Sequence, residues 1–170
     1  MPNPPQTDQD DAVEATGLRG YSRSLPMALL RAREAVMQQF RPNLRRHGVT
    51  EQQWRVLRAL QSRGTLEVTE LARATCLLPP SLSRILRDLE GRRLVLRRPV
   101  DNDLRRSRIS IAPGGTALIG AVAPDSEAIY AEITSRFGAA RLAELQGLLA
   151  SLENALADMG GDPDAGSPED

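Results

Sequence analysis

Lysine is absent from this 170-residue chain: all 22 basic side chains are arginine. Aromatic residues are scarce, 3% of the total with a single Trp. That scarcity argues against a deep, aromatic-lined nucleotide or cofactor cleft. One cysteine, Cys76, rules out a disulfide within the chain and suits a reducing cytoplasm. There is one histidine, His47. No Cys/His pairing, metal-ligand cluster or glycine-rich phosphate loop accompanies it. The chain is therefore not expected to be an enzyme, nor to carry a metal or cofactor. No apolar run is long enough to cross a bilayer, so no membrane partner is expected. The polar, acidic start MPNPPQTDQDD is not expected to act as a secretory signal.

Formal net charge is zero, but the charge is unevenly placed. Residues 1–18 hold four acids and no base, and residues 158–170 hold five acids and no base. Residues 19–157 therefore carry +9. Within residues 45–108 there are 15 arginines against seven acids. A neutral chain thus contains a basic middle, for which a polyanion is the natural partner. Guanidinium forks suit phosphates and guanine edges.

Residues 1–20 and 160–170 are rich in Pro, Gly and Asp and read as disordered acidic tails. Between them the periodicity is mostly helical. Ser24 to about Arg46 has Met27, Leu30, Met37, Phe40 and Leu44 at helical spacing, with a kink expected at Pro42. Thr50 to Gln53 reads as a capping box that opens a second helix. Trp54, Leu57 and Leu60 form its buried stripe, and Gly64 ends it. A third short helix spans about Val68 to Thr75, with Leu71 and Ala72 inward.

The stretch from Pro79 to Ile111 is the most informative. A proline can occupy the first position of a fourth helix, where no N–H is needed. Leu82, Ile85, Leu86 and Leu89 follow i, i+3, i+4, i+7 and face a core. Ser81, Ser83, Arg84, Arg87 and Asp88 then face outward. Strand-like segments at 94–98 and 107–111 flank an arginine-rich turn containing DND. Nine of the 22 basic residues fall between Arg84 and Arg108. A helix bearing Ser and Arg, followed by a basic ribbon, is what a winged helix-turn-helix presents to DNA.

A fifth helix is expected from Pro113 to about Phe137, interrupted at Pro124. A last helix follows from about Ala139. Its apolar positions Leu142, Leu145, Leu149, Leu152, Leu156 and Met159 make an a/d heptad seam. A seam this narrow reads as a homodimer interface, with packing on the first helix of the same chain as the alternative. The expected fold is mainly α with a small β-wing. It divides into an N-terminal dimerisation helix (21–48), a winged helix-turn-helix (49–112) and C-terminal dimerisation helices (113–159).

With these residues the chain resembles the multiple antibiotic resistance regulator (MarR) family over about Ser24 to Met159. The resemblance rests on Leu71-Ala72, Ser81-Leu82-Ser83-Arg84, Leu89-Glu90, Leu94-Val95 and the wing signature Asp103-Leu104-Arg105-Arg106. The family's Leu-Thr-x-x-Gly appears as Ile111-Ala112-Pro113-Gly114-Gly115, so Ala112 removes a hydroxyl cap from the fifth helix. Arg23 to Glu34 and Thr50 to Val56 look like the branch that regulates homoprotocatechuate degradation operons.

This resemblance implies a cytoplasmic, two-fold homodimer on a pseudo-palindromic double-stranded operator, acting as a repressor of aromatic catabolism. Ser81 and Ser83 would meet phosphates or base edges, and Arg84 and Arg87 guanines. Arg97, Arg98 and Arg106 would hold phosphates. Arg105 would enter the minor groove, oriented by Asp103. A small aromatic or heteroaromatic acid would act as effector, with Arg19, Ser24 and Arg31 supplying cation and hydroxyl. Met27 and Trp54 would form its wall, with His47 nearby. Two other readings remain open. Cys76, expected to be a small buried residue, would be the sensor of a redox-switched regulator. A protein-interaction module would lack salt-sensitive DNA binding.

Overall fold

The computed structural model describes residues 21–100 and 103–157; the side chains of Ser22 and of residues 103–105 lie outside that description. Both acidic tails, with Arg19 and Met159, also lie outside it. After a short turn at Tyr21–Arg23 come helices α1 (Leu25–Arg46) and α2 (Glu51–Arg63). Strand β1 (Leu66–Glu67), α3 (Val68–Thr75) and α4 (Pro79–Gly91) follow. Strands β2 (Val95–Val100) and β3 (Asp103–Ile111) then lead into α5 (Pro113–Phe137) and α6 (Ala139–Ala157). The chain divides into two compact units, residues 1–126 and 127–170.

Local chemistry accounts for most boundaries in the first unit. The Thr50 capping box is formed: Gln53 N–H donates to Thr50 Oγ1 at 3.2 Å, and Thr50 N–H to Gln53 Oε1 at 2.8 Å. Gly64 closes α2 at φ 78°, a conformation that suits glycine. Pro79 starts α4, as its missing N–H and fixed φ allow. On α4, Leu82, Ile85, Leu86 and Leu89 are all buried. They join Val56, Leu57, Leu60, Leu71, Val95 and Ile109 in one core. Each such burial contributes about 1.5–3 kcal/mol, so α4 is anchored along its whole inner face.

Three expectations need correction. The sheet has three strands, in the order β1-β3-β2, with Leu66 opposite Ile109 and Glu67 opposite Arg108. A two-residue strand carries no alternation for a sequence reading to detect. Helix α5 runs unbroken through Pro124, where an interruption is expected, and α1 includes Pro42 on its way to Arg46. Both prolines are exposed, and each removes only one ladder hydrogen bond from a long helix. Cys76 is exposed rather than buried, because its left-handed backbone (φ 50°, ψ 43°) ends α3 and turns its side chain outward.

The second unit contains the end of α5 and α6, joined at Gly138 with φ 96°. No residue of α6 is buried. Leu142 and Leu152 are half-buried, while Leu145, Leu149 and Leu156 are exposed.

Candidate nucleic-acid interface

Helix α4 presents a polar face opposite its buried one. Ser83, Arg84 and Arg87 are exposed and Ser81 is half-buried. Arg84 and Arg87 have no carboxylate partner among the described residues. Asp88 does not neutralise them: it accepts from Gln53 Nε2 at 2.7 Å and pairs with Arg92 at 3.5 Å.

The wing's arginines are arranged differently. Arg97 pairs with Glu90 at 3.0 Å. Arg106 is gripped by both oxygens of Glu67, at 2.7 Å each from its Nη2. Glu67 is well fixed, since it belongs to β1 and takes part in a capping box with Glu70 at the start of α3. Arg98 is exposed and lies opposite Arg108 on the ribbon. Asp103 opens β3 opposite Val100, beside an irregularity in register at Pro99/Val100. The side chains of Asp103 and Arg105 lie outside the described residues.

Ser83, Arg97 and Arg106 line one trough of about 490 Å³, together with Glu67, Thr69 and Ser107. The Ser83 hydroxyl of α4 and the guanidinium groups of Arg97 and Arg106 therefore share one surface. The sequence reading did not find the acids that hold two of these arginines. Glu67 and Arg106 are 39 residues apart, and only β1–β3 pairing brings them together.

A second ionic network supports this surface. Glu51, at the start of α2, accepts from Arg41 Nη2 at 3.0 Å and Arg55 Nη2 at 3.1 Å, and also pairs with Arg33. Arg41 also holds Glu34 at 2.7 Å. Arg55 in turn donates from Nη1 to the Thr75 carbonyl at 2.8 Å, where α3 ends. The network thus links α1, α2 and the turn before α4. It too was missed, because none of its long-range pairs follows a local motif.

The expected effector residues do not form one cluster. Ser24 and Met27 are half-buried near the start of α1, and Arg31 is exposed one turn later. His47 caps the other end of the same helix. Twenty residues of helix separate Met27 from His47 by about 30 Å, so one chain cannot bring them to one small ligand. Trp54 is half-buried against the core. Arg58, which was not singled out, lies over its ring with Cζ 5.9 Å from the centroid. Arg58 also donates to Gln61.

The MarR family model matches residues 49–107, from the start of the second helix into the wing. The homoprotocatechuate degradative operon repressor of Escherichia coli is 42% identical over 126 residues, covering 74% of this chain and 85% of the repressor. Among solved structures, NadR in complex with 4-hydroxyphenylacetate is 37% identical with a TM-score of 0.70, covering 79% of this chain and 96% of NadR. The transcriptional repressor CouR, bound to a 23-mer DNA duplex, is 26% identical with a TM-score of 0.71, covering 78% and 94%.

Proposed function

The chain belongs to the MarR family of transcriptional regulators, and from that premise we propose that it is an operator-binding homodimer released from DNA by a small aromatic acid. The observation that carries the proposal is the outer face of α4. Ser83, Arg84 and Arg87 project from a helix whose opposite side is fully buried. A rigid helix with uncommitted guanidinium groups is suited to read guanines in a major groove. Ser81 adds a hydroxyl near the helix start, Arg98 and Arg106 extend the basic surface along the wing, and Arg105 is the proposed minor-groove residue. CouR's duplex supports the same role.

A second copy of the chain is the proposed partner. Leu25, Leu29, Leu30 and Val36 leave an apolar face exposed on α1. On α6, Leu145, Leu149 and Leu156 do the same. Residues 21–48 and 113–159 would thus dimerise and residues 49–112 would read DNA. The proposed effector is an aromatic carboxylate, in keeping with NadR's ligand and the E. coli repressor's target operon. Trp54 offers an aromatic wall and Arg58 a cation beside it, the pairing such an acid needs.

The test is a mobility-shift titration against promoter DNA flanking this protein's own gene, repeated with hydroxylated phenylacetates, benzoates and pyridine carboxylates. A salt-sensitive shift released by one compound is expected. A shift that no compound releases would refute the effector. The absence of a shift at low salt would refute DNA binding and favour a protein-interaction module. The exposure of Cys76 supports redox switching as a second reading. DNA binding that peroxide does not change would refute it.

A further inference from the structure

Leu78 has no role in the reading above. Yet it is 74% exposed, the most exposed large apolar side chain among the described residues. It occupies the N-cap of α4 without the polar side chain that usually serves there. Its position is fixed from both sides. The left-handed turn at Cys76 precedes it, with Leu77 N–H bonded to the Ala72 carbonyl at 3.1 Å. After it come Pro79 and Pro80, and its own carbonyl accepts from Leu82 N–H at 2.9 Å.

Leu78 also walls a groove of about 350 Å³ shared with Ala72, Arg73, Cys76, Leu77 and Pro79. That lining contains one cation and no acid. An apolar floor with a basic rim, at the N-terminal end of a DNA-reading helix, suits a polyanion that carries an apolar group. In the DNA major groove that group is the C5 methyl of thymine. We propose that Leu78 is a specificity-determining residue that packs against a thymine methyl in each half-site. This proposal rests on the operator-binding reading and adds apolar selection to its arginines and serines.

Deoxyuridine removes the C5 methyl while keeping the base's pairing groups and every phosphate. The experiment replaces thymines of the identified operator by deoxyuridine, one symmetric pair at a time. At one pair of positions the native protein should lose about fourfold in affinity per half-site, the worth of one buried methyl. Leu78→Ala should bind the thymine operator more weakly and be indifferent to uracil at that pair. Leu78→Met, which keeps the apolar reach, should still discriminate, as should Arg98→Ala. The proposal is overturned if no position distinguishes uracil from thymine, or if Leu78→Ala discriminates as the native protein does. Failure to bind any duplex would overturn the operator reading itself, and is told apart by the native protein's missing shift on thymine DNA.

Discussion

Gly115→Ala should be one of the most damaging single-methyl changes in the reading head. Helix α5 begins directly against the chain entering the wing, and Ala112 N–H bonds the Leu94 carbonyl at 3.0 Å. A Cβ on Gly115 would stand 2.2 Å from that carbonyl oxygen and 2.8 Å from Ile111 Cγ1. The oxygen belongs to the backbone, so no rotamer change relieves the overlap. Either α5 must lift or the root of β2 must move, where Leu94 and Val95 are buried. Overpacking of this kind costs about 1–3 kcal/mol, and a backbone overlap this close belongs at the upper end. At about 3 kcal/mol, a chain of this size would lose about 6–12 °C in Tm. Gly147→Ala is the matched control. A Cβ there meets nothing within 4 Å. It also lies off the Leu142–Leu145–Leu149 seam, so the helix should gain about 0.8–1 kcal/mol. Urea unfolding followed by circular dichroism, at one fixed protein concentration, measures both. If Gly115→Ala unfolds within about 0.5 kcal/mol of the native protein, the close approach of α5 to Leu94 is wrong.

Arg84→Ala should cost about 1–3 kcal/mol per half-site on the operator and relax selection at one base pair, measured by titrating single-base variants. Arg98→Ala should weaken binding to all sequences alike and reduce the salt slope by about 1 for each phosphate that Arg98 neutralises. Glu67→Gln removes one carboxylate that Arg106 holds, so affinity for non-operator DNA should rise with a steeper salt dependence; unchanged non-operator binding would refute that role. An aromatic acid should quench the fluorescence of Trp54, the chain's only Trp, and Arg58→Ala should weaken that response while leaving the unfolding midpoint near native.

Features written in short-range chemistry were legible before the structure. The α4 boundaries followed from a proline start and four apolar residues at i, i+3, i+4, i+7. The Thr50 cap followed from a hydroxyl and an amide three residues apart. What was not legible depends on distant partners or on backbone state. Strand β1 exists because Leu66 and Glu67 find β3, not because two residues prefer extension. Cys76 was read as buried because small thiols usually are; its left-handed backbone decided otherwise. Within one chain a continuous α1 keeps Met27 and His47 at opposite ends, a separation that their places in the sequence do not show. Arg58 escaped notice because arginines are plentiful here, and only the fold shows which one covers Trp54.

The zero net charge and the basic surface are reconciled by where the acids sit. Nine lie in the terminal segments 1–18 and 158–170, away in sequence from residues 45–108. Glu51 binds Arg41, Arg55 and Arg33, orienting guanidinium groups that support the fold rather than face a ligand. At the wing, Glu90 and Glu67 pair with Arg97 and Arg106. An arginine paired in this way contributes less to indiscriminate attraction for phosphate, because its carboxylate cancels much of its field within the Debye length over which that field reaches. Arg84 and Arg87 keep their full field, but they project from a helix locked by four buried aliphatic side chains. Among the described residues Arg84 and Arg87 have no carboxylate partner, so on the proposed reading their attraction counts most where a base edge lies in reach.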